Sequence, residues 1–151
     1  LSTLKLNNNP FLIRFEILNS ILPSLTKVFF KNVHSKLLES ISNENFYHLD
    51  ELDLSFNSNL INLSKILVYC KNLNKLNLKY AKFTKENYSN HDEFDFSFQS
   101  FTSNLKKIEE LDLSGIQFNY SYNEKQQTSL KFPLLKKLVL SNIGLNDYET
   151  L

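Results

Sequence analysis

A leucine pattern that recurs along the whole chain constrains its fold more than any other feature. Residues 49–57 read LDELDLSFN, with leucine at the first, fourth and sixth positions and asparagine at the ninth. The same apolar spacing starts at residues 1, 25, 49, 73, 108 and 135. The intervals between these starts are 24, 24, 24, 35 and 27 residues. Six matches in 151 residues indicate one repeating unit of structure.

The spacing within each match predicts a short strand. The fourth and sixth positions are two residues apart, so a strand points both side chains to the same side. Such a short strand cannot bury that side alone, but parallel strands from successive repeats can share one core. The chain must return between strands, and apolar residues predict helical returns over 11–22, 34–41 and 61–70. We therefore predict an α/β fold with a parallel sheet.

This pattern resembles the leucine-rich repeat family over residues 1–151. The resemblance implies a single horseshoe-shaped solenoid of about six repeats, with a parallel β-sheet on the concave face and helices or irregular returns on the convex side. The ninth position holds asparagine only in some repeats, namely Asn9 and Asn57. The ribonuclease-inhibitor-like and F-box-associated subtypes are the most similar, which implies an intracellular protein, cytoplasmic or nuclear. Because the chain begins with Leu1 and contains no methionine, we expect it to be a fragment of a longer protein.

Composition excludes several classes of function. The chain has 17 basic and 16 acidic side chains, a formal net charge of +1. Electrostatic binding of nucleic acid needs an excess of positive charge, so none is expected. No run of about 18 apolar residues occurs, so no membrane span is predicted. The lone cysteine, Cys70, and the three histidines form no recognisable catalytic or metal-binding motif. We predict a non-enzymatic protein with no catalytic residues, metal or cofactor.

The third position of successive repeats alternates in charge from the second repeat onward. The series reads Thr3, Lys27, Glu51, Lys75, Glu110, Lys137. Neighbouring strands lie about 4.8 Å apart, so each charge would have opposite charges beside it. The alternation predicts lateral pairing within the sheet, and the alternative interpretation is a charge-coded docking strip for a partner.

Exposed aromatic and charged residues near these strands are the candidate partner-binding residues. The set is Phe29, Lys31, Asp53, Phe56, Lys79, Tyr80 and Asp112. Phe29 lies between two inward residues, so alternation sends it outward. Phe56 and Tyr80 follow the strands at one rim of the same surface. They either contribute to a binding hot spot or fold over the rim to cover the turn.

The interval of 35 residues after the fourth repeat start predicts an insertion within 82–103. Three phenylalanines there alternate with other residues, namely Phe94, Phe96 and Phe98. They either dock a partner, as a secondary interaction site, or pack back on the repeats.

These observations favour a protein–protein interaction module or scaffold that binds a protein partner on the concave face, either alone or as part of a larger assembly. The resemblance also implies two alternatives. One is a substrate-recognition subunit of a ubiquitin ligase, and the other is an enzyme regulator similar to ribonuclease inhibitor.

Overall fold

The computed structural model describes residues 1–12, 16–41, 43–58, 60, 63–82, 105–118 and 132–145. Its main element is an all-parallel sheet whose strands are β1 Thr3–Lys5, β2 Lys27–Phe29, β3 Glu51–Asp53, β4 Lys75–Asn77, β5 Glu110–Asp112 and β7 Lys137–Val139. The strands lie side by side in the order of the chain. The predicted α/β class with a parallel sheet agrees with this architecture.

Equivalent repeat positions pair with one another across the sheet. Leu52 of β3 faces Leu76 of β4, and Leu76 faces Leu111 of β5. The register is unchanged between β4 and β5, although the repeat starts there are 35 residues apart. The apolar pattern therefore determines which residues pair, and the length of the connection does not.

One side of the sheet forms the core. The inward strand positions of the second to fifth repeats are at most 2% exposed, and they are Val28, Phe30, Leu52, Leu54, Leu76, Leu78, Leu111 and Leu113. Burial of each such side chain stabilises the fold by about 1.5–3 kcal/mol. The opposite side of the sheet carries the side chains of the third and fifth positions, and we call it the strand face.

Two of the predicted helical returns are confirmed. Helix α2 covers Ser35–Glu39 and helix α3 covers Leu63–Tyr69. The His34 side chain caps α2, because its Nδ1 accepts a hydrogen bond of 3.1 Å from the Lys36 N–H. A 3-10 turn over Asn43–Phe46 then leads toward β3.

The first return is shorter than the predicted helix over 11–22. Helix α1 covers only Leu18–Ile21 and continues as a 3-10 turn over Leu22–Ser24. Phe11 is 91% exposed and lies in a turn instead of a buried helix. The Leu12 N–H donates to the Asn9 carbonyl and closes this turn around the proline that follows Asn9, so the apolar run alone overestimated the helix.

The last strand is less covered than the central ones. Leu138 and Leu140 occupy inward repeat positions, yet each is 46% exposed. Strand β7 pairs with β5 on one side and with no further described strand on the other. Shortly after β5 and β7 in the chain, β6 Gln117–Phe118 and β8 Gly144–Leu145 form a separate two-stranded parallel sheet.

The predicted insertion within 82–103 lies outside the described residues except for Lys82, and so do Phe94, Phe96 and Phe98. No helix in the described ranges is both long enough and apolar enough to cross a membrane.

Candidate functional site

Charged side chains at the third position pair across the strand face. Lys27 Nζ lies 3.3 Å from Glu51 Oε2, and Lys75 Nζ lies 2.6 Å from Glu110 Oε1. Lys137 Nζ lies 3.9 Å from the other oxygen of Glu110. We call this series, from Lys27 to Lys137, the charge ladder. The predicted lateral pairing is confirmed for these contacts.

Pairing in the charge ladder also shifts the pKa values of Lys75 and Glu110. The hydrogen bond from Lys75, together with its positive charge, lowers the pKa of Glu110. The same hydrogen bond and the negative charge of Glu110 raise the pKa of Lys75. Both side chains therefore favour their charged forms, and each offsets the charge of the other.

The fifth-position row lies beside the charge ladder and stabilises the turns that follow the strands. Oδ1 of Asp53 accepts a hydrogen bond of 2.8 Å from the Ser55 N–H, and Oδ1 of Asp112 accepts one of 2.9 Å from the Ser114 N–H. Asn77 lies between them, and its Nδ2 donates to Oδ2 of Asp53 at 3.2 Å. Asp53 and Asp112 thus have a structural role, because each closes an Asx turn. An open depression of about 190 Å³ lies between this row and the charge ladder.

Phe29 points to the strand face, as predicted, but it is half-buried. Strand pairing places it between Lys5 and Asp53. The Lys5 ammonium lies 5.1 Å from the centre of the Phe29 ring, which is the distance of a cation–π contact. A side chain from β1 therefore covers part of a ring that the sequence left uncovered.

The eighth position of every repeat has a positive φ angle. The residues and angles are Asn8 at 61°, Asn32 at 52°, Phe56 at 60°, Tyr80 at 52°, Gly115 at 72° and Asn142 at 55°. Asparagine and glycine tolerate this left-handed conformation, whereas a bulky aromatic residue there is an outlier. Phe56 and Tyr80 are therefore strained, and such strain is concentrated at functional sites.

Hydrogen bonds between neighbouring turns hold this conformation. The Phe56 N–H donates to the Lys79 carbonyl at 2.8 Å, and the Tyr80 N–H donates to the Ser114 carbonyl at 2.7 Å. The Gly115 N–H donates to the next turn in the same way, at 2.8 Å. The bonding of the parallel sheet thus continues through the turns and holds two aromatic residues in a conformation that their own sterics disfavour.

The two aromatic rings contact each other along the turn edge. Their centres are 5.3 Å apart and their planes are inclined by 44°. A Cβ atom on Gly115 would lie 2.0 Å from Cδ1 of Tyr80, so the absence of a side chain there makes room for the ring. Beyond Gly115, Nδ2 of Asn142 donates a hydrogen bond of 2.9 Å to the Tyr80 hydroxyl.

Both rings nevertheless remain accessible. Phe56 is 41% exposed and Tyr80 is 39% exposed. The rings cover the neighbouring turns, as one interpretation predicts, and still present an apolar surface, so a binding hot spot stays a prediction. Tyr80 spans two turns and is anchored at its hydroxyl end.

Two lysines lie over these rings. Lys31 Nζ is 4.8 Å from the centre of the Phe56 ring, and Lys79 Nζ is 5.7 Å from the centre of the Tyr80 ring. Among the described residues, neither ammonium forms an ion pair with a carboxylate. We call Lys31, Phe56, Lys79 and Tyr80 the turn patch. The structure brings these four predicted residues together, and Phe29, Asp53 and Asp112 lie on the adjoining strand face.

Sequence reasoning missed the supporting residues Gly115 and Asn142. A signal for them existed, because four of the six residues at the eighth position are asparagine or glycine. Those are the residues expected where φ is positive.

Cys70, His34 and His48 have structural surroundings. Cys70 is buried, and burial raises the pKa of its thiol to about 12, so it is not a ready nucleophile. His34 caps α2, and the His48 ring packs edge-on against Tyr47. Within the described ranges, no three histidine, cysteine, aspartate or glutamate side chains come together as metal ligands.

Comparison of the chain with protein-family models gives no match, and a search of curated proteins finds no relative.

Proposed function

We propose that this chain is a leucine-rich-repeat solenoid that binds a protein partner through its strand face and turn patch. The recurrent leucine spacing and the in-register pairing of equivalent positions support the repeat architecture. In that architecture the strand face is the concave surface, and the helical returns are on the convex side. The free, buried thiol of Cys70 is compatible with a reducing, intracellular environment.

One observation carries the proposed binding function. Phe56 and Tyr80 have strained backbones and exposed rings at positions where other repeats of this chain have asparagine or glycine. An asparagine would satisfy the same turn with less strain, as it does at Asn32 and Asn142. Exposed aromatic side chains beside charged ones are typical of the residues that dominate binding energy at protein interfaces. The strain is therefore explained by a need for aromatic surface.

The test replaces both aromatics with the residue that the other turns use. The whole protein carrying Phe56→Asn and Tyr80→Asn is purified from its own cells, and the co-purifying proteins are quantified by mass spectrometry. We expect the free energy of unfolding to change by no more than about 1 kcal/mol, because relief of backbone strain offsets the lost ring contacts. The specific partner should fall at least tenfold in abundance.

Tyr47→Asn is the matched control. Tyr47 is 46% exposed and lies in the return between β2 and β3, away from the strand face. We expect this variant to retain the partner. Unchanged capture by the Phe56→Asn/Tyr80→Asn variant, or equal loss with Tyr47→Asn, would contradict the proposed function.

A further inference from the structure

We infer that the turn patch recognises an acidic segment of the partner, in which carboxylates flank an apolar side chain. This inference rests on the proposed function and specifies the chemistry of the partner. It follows from a difference between two groups of lysines. Those of the charge ladder contact carboxylates, whereas those of the turn patch contact aromatic rings.

Four lysines at the second or third position of a repeat have acidic neighbours. Lys27, Lys75, Lys136 and Lys137 all lie within ion-pair distance of a glutamate. In contrast, Lys31 and Lys79 of the turn patch contact aromatic rings and pair with no carboxylate of the described residues. Their positive charge is not neutralised locally, so it is available to an anionic group of a partner.

The geometry of the turn patch suggests the spacing of the ligand. Lys31 and Lys79 are in equivalent positions two strands apart, or about 10 Å by strand spacing. The exposed Phe56 ring lies beside Lys31 and the exposed Tyr80 ring beside Lys79, and the two rings contact each other. In a peptide with the polyproline II conformation, residues three positions apart lie on the same side and are separated by about 9 Å. Two acidic residues with this spacing can reach both ammonium groups while a neighbouring apolar residue packs on the rings.

Charge and ring packing favour a protein partner over single-stranded nucleic acid. The Phe56 and Tyr80 rings contact each other at 5.3 Å, which leaves no gap for a base between them. Asp53 and Asp112 lie on the adjoining strand face, and no lysine of the described residues pairs with either carboxylate. These carboxylates would repel a continuous phosphate backbone, whereas an acidic peptide can end or turn at the patch.

The experiment measures binding of synthetic peptides to the whole protein by fluorescence anisotropy. The probe is a fluorescein-labelled peptide that repeats the unit Glu-Leu-Phe, which places glutamates three positions apart. A second peptide has glutamine in place of glutamate, and a third has lysine. We expect the glutamate peptide to bind at least tenfold more tightly than either, a difference of about 1.4 kcal/mol.

Two charge-matched variants locate the binding. Lys31→Gln/Lys79→Gln should weaken binding of the glutamate peptide about tenfold. Lys36→Gln/Lys136→Gln removes the same charge from exposed lysines outside the strand face and the turn patch, and it should weaken binding less than about threefold. Thermal melts establish that each variant is folded, and Lys31 and Lys79, which are half-buried and form no ion pair with the described residues, are expected to contribute little to stability.

Several outcomes would overturn the inference. These are equal binding of the glutamate and glutamine peptides, an undiminished affinity of the Lys31→Gln/Lys79→Gln variant, or equal losses in both double variants. Tighter binding of an oligothymidylate, or of phosphatidylserine vesicles, through the same two lysines would also overturn it. The proposed function fails separately, when the aromatic double variant retains the partner. Partner loss in that variant with no effect of the lysine substitutions would contradict only the acidic chemistry.

Discussion

The charge ladder and the turn patch both contain lysines and lie within a few residues of each other, yet their lysines have different neighbours. In the charge ladder, Lys75 and Lys137 share the carboxylate of Glu110. In the turn patch, Lys31 and Lys79 lie over aromatic rings. Lysines on this surface therefore differ in whether a carboxylate offsets their charge. The paired charges of the charge ladder offer little to a partner. The lysines of the strained turns remain available to one.

The strongest test of this comparison is Asn57→Ala, because Asn57 secures the turn next to Phe56. Its buried Nδ2 donates to the Phe30 carbonyl at 2.7 Å and to the Leu54 carbonyl at 2.8 Å, and its Oδ1 accepts from the Val33 N–H at 2.8 Å. Alanine leaves these buried groups without partners. We expect a loss of about 3 kcal/mol in the free energy of unfolding, measured by urea denaturation.

Asn9→Ala is the matched control for this prediction. Asn9 occupies the same repeat position, but it is exposed, and its Nδ2 donates to the Leu6 and Asn7 carbonyls. Water can replace those hydrogen bonds, so we expect a loss below about 1 kcal/mol. Similar losses in the two variants would contradict the view that this turn is held by a buried amide.

Gly115→Ala tests the support of the Tyr80 ring and should have the next largest effect. Its φ of +72° disfavours alanine, and the new Cβ would lie 2.0 Å from Tyr80 Cδ1. We expect a loss of about 2 kcal/mol in the free energy of unfolding, measured by urea denaturation, and a change in the ring-proton chemical shifts of Tyr80.

A double-mutant cycle separates the clash from the backbone strain. In a Tyr80→Asn background the ring is absent, so Gly115→Ala should cost less than in the natural sequence. An equal cost in both backgrounds would show that Tyr80 does not rest on Gly115.

The smallest effect is expected in the charge ladder, with Glu110→Gln. The pKa of Glu110 is lowered in the folded protein, so its stabilising effect is present above the ordinary glutamate pKa and is lost as the pH falls through the lowered value. We expect a small decrease in melting temperature at pH 7 that disappears in acid, because both proteins then have a neutral side chain.

Glu39→Gln, at an exposed position in α2, is the control for this pH dependence. Its melting temperature should follow that of the natural sequence throughout. A difference between Glu110→Gln and the natural sequence that grows as the pH falls would contradict the pairing of the charge ladder.

The sheet could be predicted from the sequence because its determinants are periodic and local. Leu52, Leu76 and Leu111 occupy equivalent positions, and burial of one of them is possible only if all align. The same alignment brings Lys75 beside Glu110, so pairing in the charge ladder was predictable too. The helix over 11–22 was overestimated because an apolar run does not show which of its side chains are buried. Leu18 and Leu22 are buried, whereas Phe11 and Ile17 are exposed.

The turn patch could be predicted only in part. Residue type identified Phe56 and Tyr80 as candidates, but a φ angle depends on the hydrogen bonds of neighbouring turns, which no single repeat contains. The contact of Tyr80 with Asn142 joins residues 62 positions apart, beyond any local pattern. The partial cover of Phe29 by Lys5 has the same origin, because it depends on side-chain placement across two strands.

The unchanged register between β4 and β5 has a consequence for how such a chain can evolve. The interval between the repeat starts is 35 residues there, 11 more than the 24 residues of the preceding repeats, yet the two strands align at the same positions. Selection can therefore alter the length and composition of that connection without disturbing the sheet. New segments can be acquired at such a point one at a time, while the surface that presents Lys31, Phe56, Lys79 and Tyr80 is inherited intact.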